Sequence, residues 1–366
     1  MSRSPSDPET LLRKLLADRA SGELTRLSTT LEQFLEEWLR VAKRRNVKPR
    51  TLEAYRDSLT THVLPTLGKK RLDRIAASDL DRLYDERSEA GLSPTTIASV
   101  HTRLSSLLKL AKRRKLVGHI VTDLVDPPKV RKYDARTLTV EEARHLLQGI
   151  ADHRHGPLWT FILGTGCRFG EAAGLRWQDI DEDAGVARVR QIVNRRREGK
   201  HVHLVIEEGA KTDAGQRDLH FPTWVATAIQ QQRKRVDLAR SVAGDQWVDR
   251  DLVFPNRHGG PLRESHVLVE WHAQLESLGL EGKPGQAPLR MHDLRHSKGT
   301  LMADEGEDLV VIQKTLGHAR ASTTADLYVG RVPKALRRAA DRYGELLIPS
   351  APTSVAAESV APEPAR

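Results

Sequence analysis

The sequence holds a single cysteine, Cys167, in 366 residues. One thiol cannot close an internal disulfide or build a cysteine-based metal site, which fits a reducing cytosol. No apolar run approaches the ~20 residues of a membrane span. The opening residues, MSRSPSDPET, have no apolar stretch of the kind that directs secretion. These absences point to a cytoplasmic chain with no membrane partner. Hydrophobic residues make up 39% of it, a low share but enough for packed cores. The length exceeds one ordinary domain, so two domains are expected.

Positive charge is what the chain has in excess: a formal net charge of +10 and a pI near 9.8. Residues 28–134 hold 22 Lys and Arg against 14 Asp and Glu, whereas residues 135–366 hold 32 against 31. The excess therefore lies in one segment, as expected of a module that grips a polyanion. A solvated basic face would account for that segment alone; the motifs downstream favour the polyanion.

Those motifs centre on Met291 to Gly330. His292 and Arg295 stand three apart, on one face of a helical turn. His318 follows Gly317, a helix end whose left-handed turn would swing the imidazole inward. Tyr328 comes ten residues later. Arg and His hold phosphate oxygens, and Tyr offers a hydroxyl nucleophile. Together they suggest covalent attack on a phosphodiester without metal. Singly, each has a plainer reading: Arg295 as a surface residue, His318 as a helix cap, Tyr328 as an ordinary tyrosine.

The run His292-x-x-Arg295-His296, then Leu316-Gly317-His318, then Ser322-Thr323-Thr324-x-x-x-Tyr328 resembles the C-terminal box of the tyrosine recombinases, the phage-integrase family. Upstream, Thr165-Gly166-Cys167-Arg168-Phe169-Gly170-Glu171 matches the setting of the family's other arginine, and Gly174-Leu175-Arg176-Trp177-Gln178-Asp179-Ile180 is also familial. Lys211-Thr212 stands where the family carries a lysine on a β-hairpin. The four motifs occur in the family's order between Thr165 and Tyr328. Two departures stand out: Cys167 replaces a usual aliphatic residue, and Ser297-Lys298 replaces the usual Thr-aromatic pair.

The resemblance implies an α-helical N-terminal core-binding domain and a mixed α+β catalytic domain with a small antiparallel sheet. Residues 1–27, with leucines at 11, 12, 15 and 16, read as a remnant helix of an arm-binding domain whose sheet is missing. Residues 28–128 read as the helical DNA-binding domain. Its helices are predicted to start at Ser28 or Thr29, near Thr51, at Ser78, and at Ser93 with Pro94 following. Residues 129–137 form a basic linker, either a strap across DNA or a plain tether. The catalytic domain covers 138–348, opening with a capping box at Thr139 and Glu142. Strands are expected over 184–193, 201–207 and 217–221, with Arg195, Arg196 and Arg197 between the first two, and a short strand at 252–255. A last helix at 332–347 docks on a neighbouring subunit or on its own domain. Residues 349–366 are Pro, Ala and Glu rich and expected to be disordered.

By resemblance, Arg168 and Arg295 clamp the non-bridging oxygens, Tyr328 attacks phosphorus to leave a 3′-phosphotyrosine, and Lys211 protonates the leaving 5′ oxygen. His292 or His318 accepts the tyrosine proton or bonds the phosphate, and Glu171 braces the site. His296 and Trp177 read as packing residues. No cofactor or metal is called for, because the covalent link conserves the bond energy. Candidate DNA contacts are Lys43, Arg44, Arg45, Arg50, Thr51, Ser93, Thr95, Lys112, Arg113, Arg114, Lys115, Arg131 and Lys132. Some of them would receive phosphates at helix N-termini. The expected protein is an integrase of a phage or other mobile element, a homotetramer on double-stranded DNA, with a directionality factor as a further partner. The rival readings are a Xer-like resolvase, a relaxing topoisomerase and a DNA-binding protein without catalysis.

Overall fold

The computed structural model describes Arg13, residues 29–130, 135–198, 201–208, 217–282, 287–317 and Tyr343. The expected remnant helix, last helix and tail, apart from Arg13 and Tyr343, lie outside the described residues. The chain divides into two compact units, Met1–Tyr133 and Asp134–Arg366.

The described part of the first unit is helical: α1 (Leu31–Arg44), α2 (Pro49–His62), a single turn α3 (Leu64–Leu67), α4 (Ala77–Glu89) and α5 (Pro94–Arg113). Leucines and aromatics at helical spacing close one core, with Phe34, Trp38, Leu59, Leu83, Leu104 and Leu107 buried. Helix α5 starts at the expected place, where the Ser93 Oγ accepts the Thr96 amide at 3.2 Å.

Three other starts differ from expectation. Thr30 rather than Ser28 or Thr29 caps α1, in a reciprocal capping box: Gln33 N–H donates to Thr30 Oγ1 and Gln33 Oε1 accepts the Thr30 amide. Helix α2 begins at Pro49, whose ring presets the helical φ, and not near Thr51. Helix α4 is capped from inside by Asp79, which accepts the Ala76 N–H at 2.7 Å, and not by Ser78.

The second unit is built around α7 (Gly156–Thr165), all ten of whose residues are buried. Its sequence, GPLWTFILGT, carries no charge, so every face can pack. Around it lie α6 (Val140–Gly149), the short α8 (Phe169–Ala173), α9 (Thr223–Ala243), α10 (Glu264–Ser277), α11 (Asp293–Asp304) and α12 (Leu309–Leu316). Trp159 meets Trp271 of α10 edge-on at 5.2 Å, and Phe161 lies 5.6 Å from Phe254. Thr139 and Glu142 form the expected capping box at the head of α6.

The strands make two small antiparallel sheets where one was expected. β1 (Ile180–Asp181), β2 (Val186–Val189) and β5 (Arg217–His220) form one, in the order β1-β2-β5; β3 (Gln191–Glu198) and β4 (His201–Glu208) form a hairpin. The expected strand over 184–193 is thus split between the two sheets. Arg195, Arg196 and Arg197 lie within β3 rather than in a turn, since the pairing runs on to Glu198↔His201. Arg195 is exposed, and Arg196, on the opposite face, pairs with Glu207 at 3.1 Å. Residues 252–255 form only isolated bridges, Arg176↔Leu252 and Pro255↔Pro261. Helix α10 was not anticipated, although Val267, Trp271 and Leu275 recur at four-residue steps and are buried. Among the described residues no helix is long and apolar enough to cross a membrane.

Candidate active site

The site begins where α7 ends. Gly166 terminates the helix with φ 69° and ψ 21°. A Cβ there would stand 2.8 Å from Leu316 Cδ2, so both the left-handed backbone and the close packing call for glycine. The turn delivers Arg168 to the N-cap of α8. Its Nη1 donates to Glu171 Oε1 at 2.9 Å and its backbone N–H to Glu171 Oε2 at 2.8 Å. The Arg168 side chain keeps 48% of its surface exposed, whereas its carboxylate partner is buried.

Helix α11 supplies the second arginine. Arg295 is 1% exposed, and its Nη1 donates to Gly166 O at 2.6 Å. One turn on, Lys298 Nζ donates to Gly164 O at 2.7 Å. Two cations thus meet the carbonyl end of α7, where the helix dipole is negative. The Arg295 Nη2 is buried and has no hydrogen-bond partner among the described residues. Such a donor is costly to bury and is available to an incoming oxygen. Burial, then the Arg168 and Arg217 charges, push the Arg295 guanidinium down to about 10, against the opposing pull of Glu171. It remains charged at neutral pH.

Glu171 joins three groups. Besides its two bonds from Arg168, its Oε2 accepts from Arg217 Nη2 at 2.6 Å. Burial pushes this carboxyl upward, but Arg217 and the Arg168 amide outweigh it and hold the group below its ordinary range. Arg217, the first residue of β5, also donates from Nη1 to Thr315 O at 2.9 Å, near the end of α12. The sequence reading missed Arg217. A buried glutamate beside one half-exposed arginine was the available hint that a second cation had to be near.

His292 is the N-cap of α11 and packs edge-on against His296 at 5.1 Å between ring centres. Its packed surroundings, then His296 and Arg295, push its imidazole down to about 4, with Asp293 pulling the other way. It is therefore neutral at pH 7 and able to accept a proton. Ser297 Oγ accepts the Leu138 amide at 2.9 Å and donates to Asp293 O, so this departure from the family pattern ties the start of the unit to α11. Trp177 lies under the Arg233 guanidinium at 4.1 Å.

Arg168, Glu171, His292 and Arg295 thus come from two elements, α8 and α11, to one place. Lys211, in the connection from β4 to β5, His318 and Tyr328 lie outside the described residues. Gly317, just before His318, ends α12 with φ 64° and ψ 48°, the left-handed turn its sequence suggests. No group of three or more His, Cys, Asp or Glu side chains among the described residues is arranged to hold a metal ion.

In the helical unit, Lys43, Arg44 and Arg45 are exposed at the end of α1, and Lys112, Arg113, Arg114 and Lys115 at the end of α5. Arg114 pairs with Glu37 at 3.2 Å. Arg50, Ser93 and Thr95 are exposed in the first turns of α2 and α5. Thr51 is not at a free helix start: it sits inside α2, and its N–H donates to Lys48 O at 2.9 Å. Arg131 and Lys132 lie outside the described residues.

An arginine pair, a neutral histidine and a bracing carboxylate at the end of a buried helix are the parts of a phosphoryl-transfer site. The chain belongs to the phage integrase family, which matches residues 136–333; the family's N-terminal SAM-like domain matches residues 30–87. It is a tyrosine recombinase, an enzyme that cleaves and rejoins DNA strands at specific sites. Among its relatives, the XerC-like tyrosine recombinase of Caldanaerobacter subterraneus subsp. tengcongensis is 23% identical, over 87% of this chain and 84% of that one. The putative prophage phiRv2 integrase of Mycobacterium tuberculosis is 29% identical, over 82% and 75%. The fold is that of the Tn1549 transposon integrase in complex with a circular intermediate DNA, with a TM-score of 0.69 at 20% identity over 85% of this chain and 99% of that one. It is also that of a lambda integrase tetramer bound to a Holliday junction, with a TM-score of 0.61 at 17% identity over 87% and 83%.

Proposed function

We propose that this recombinase is the integrase of a mobile element, inserting or excising it through a covalent link between Tyr328 and a DNA 3′ phosphate. One observation carries the reading to this site: the buried Arg295 Nη2, without a hydrogen-bond partner among the described residues, beside the half-exposed Arg168. Both guanidiniums are fixed by Glu171 and the carbonyl of Gly166 before any phosphate arrives, so little reorganisation is needed as charge grows on the non-bridging oxygens.

The steps balance without an outside energy source. The Tyr328 oxygen attacks phosphorus, and the bond from phosphorus to the 5′ oxygen breaks. Neutral His292 or His318 takes the phenol proton, and Lys211 gives one to the leaving oxygen. A 5′ hydroxyl of the partner strand reverses the step and frees the tyrosine. Two solved relatives support the setting: one is bound to a circular intermediate DNA, the other is a tetramer on a Holliday junction. By that likeness the enzyme works as a homotetramer on two duplexes; a cytoplasmic setting and a directionality factor that chooses between integration and excision complete the proposal. The helical unit, 28–128, holds the duplex through the basic ends of α1 and α5, and 129–137 joins it to a catalytic domain ending near 348.

A nicked suicide substrate tests the chemistry. The wild type should accumulate a covalent DNA adduct, and Tyr328→Phe should bind the same DNA with none. An adduct retained by Tyr328→Phe would show that another residue is the nucleophile. The XerC-like relative favours a second reading, a resolvase that joins two sites on one replicon. Reaction confined to directly repeated identical sites would support it over the integrase.

A further inference from the structure

Arg217 belongs to none of the recognised motifs, yet it touches the surroundings of most of them. Its side chain is 12% exposed. One nitrogen holds Glu171, the carboxylate that also holds Arg168, and another holds the carbonyl of Thr315. The same guanidinium lies against Gly317, where a Cβ would come within 2.5 Å of its Nη1. Gly317 directly precedes His318. Arg217 is also the first residue of β5, six positions after Lys211. One planar cation thus joins the carboxylate that holds Arg168 to the turn directly before His318.

We infer that Arg217 is a positioning residue for strand cleavage: it locks Arg168, through Glu171, to the turn that directly precedes His318. Two acceptors in different directions demand a fork. A lysine, a single point charge, cannot serve both with the same geometry. The glycine at 317 is required for the same reason, since a side chain there would displace the fork. The inference rests on the proposed roles of Arg168 and His318, and its test separates the two levels.

Full-length wild type, Arg217→Lys, Glu171→Gln and the double variant are compared on one nicked suicide duplex. Thermal unfolding, DNA affinity and the single-turnover adduct rate at saturating DNA are all measured. Arg217→Lys should fold, bind DNA within about threefold of the wild type, and form adduct between ~10- and ~100-fold more slowly, the cost of a misplacement near 1 Å. The double variant should be no slower than the slower single one, because both changes cut the same link. Should the lysine variant not fold, Arg217→Gln, which keeps a polar side chain without the charge, takes its place.

Adduct at the wild-type rate from a folded variant overturns the inference. So do losses that multiply in the double variant. Parallel loss of folding, binding and cleavage in both Arg217 variants also overturns it, because that is the behaviour of a purely structural ion pair. A wild type that forms no adduct sinks the parent reading as well. An active wild type beside an unaffected variant sinks only the role of Arg217.

Discussion

Among the described residues, the helical unit buries a single charged side chain, Asp79, and pairs it with Lys70 and Arg82. The second unit buries Arg136, Glu171, Asp179, Asp293 and Arg295. The helical unit keeps its excess positive charge outside, on flexible side chains at the ends of α1 and α5, where salt screens it and a long polyanion can slide along it. The second draws more charges inward and fixes them against carbonyls and carboxylates, where screening is weak and geometry is rigid. The first arrangement suits holding a duplex. The second suits choosing one phosphorus atom in it.

The comparison can be broken at either end. The largest effect is expected at the second unit: Arg168→Ala should slow cleavage by ~10²- to ~10³-fold, as for loss of one preorganised donor, with little change in DNA affinity. A drop in affinity matching the drop in rate would make Arg168 a residue that holds DNA rather than one that stabilises the reacting phosphate. Next, Leu83→Ala, at a fully buried position of the first core, should cost ~2–5 kcal/mol of that unit's stability and lower binding and cleavage together. Denaturant unfolding of the variant checks it.

A smaller effect follows from replacing Lys112, Arg113, Arg114 and Lys115 with glutamine. The slope of log affinity against log salt should flatten by about one for each charge that meets a phosphate, with the cleavage rate at saturation retained. An unaltered slope would remove this cluster from the interface. The smallest concerns pH. His292 and His155 are each pushed from the usual 6.5 down to about 4, mainly by burial. The unfolded chain therefore binds more protons than the folded one between those values. Stability of the second unit should fall as pH drops from about 6.5 to about 4 and be fully present above it. A melting temperature flat across that range would contradict the packing of these two rings.

Much of the architecture was legible because it depends on local rules. Ser93-Pro94 and Thr139 with Glu142 mark helix starts through atoms within one turn, and α1 declares itself by its apolar spacing. The failures were of two kinds. Helix starts slipped where several polar residues competed, as at Ser28, Thr29 and Thr30, or where a proline outranked them, as at Pro49. Strands were misjudged where pairing partners are distant: the division near Arg190 between two sheets, and the lone bridges at Leu252 and Pro255, are set by neighbours from elsewhere in the chain. At the site, motif spacing named Arg168, Glu171, His292 and Arg295, and the structure brings those four together. It could not name Arg217, whose partners lie 46 and 98 positions away.

Cys167 lies one residue from Arg168, is 1% exposed, and has its thiol pushed up to about 12, chiefly by burial. Alkylating reagents and mild oxidants need a thiolate they can reach, and this sulfur is neither ionised nor accessible. The chain's only native cysteine is therefore chemically silent. A cysteine introduced on the surface would be the one reactive thiol, so a fluorophore or spin probe could be attached there without first removing Cys167.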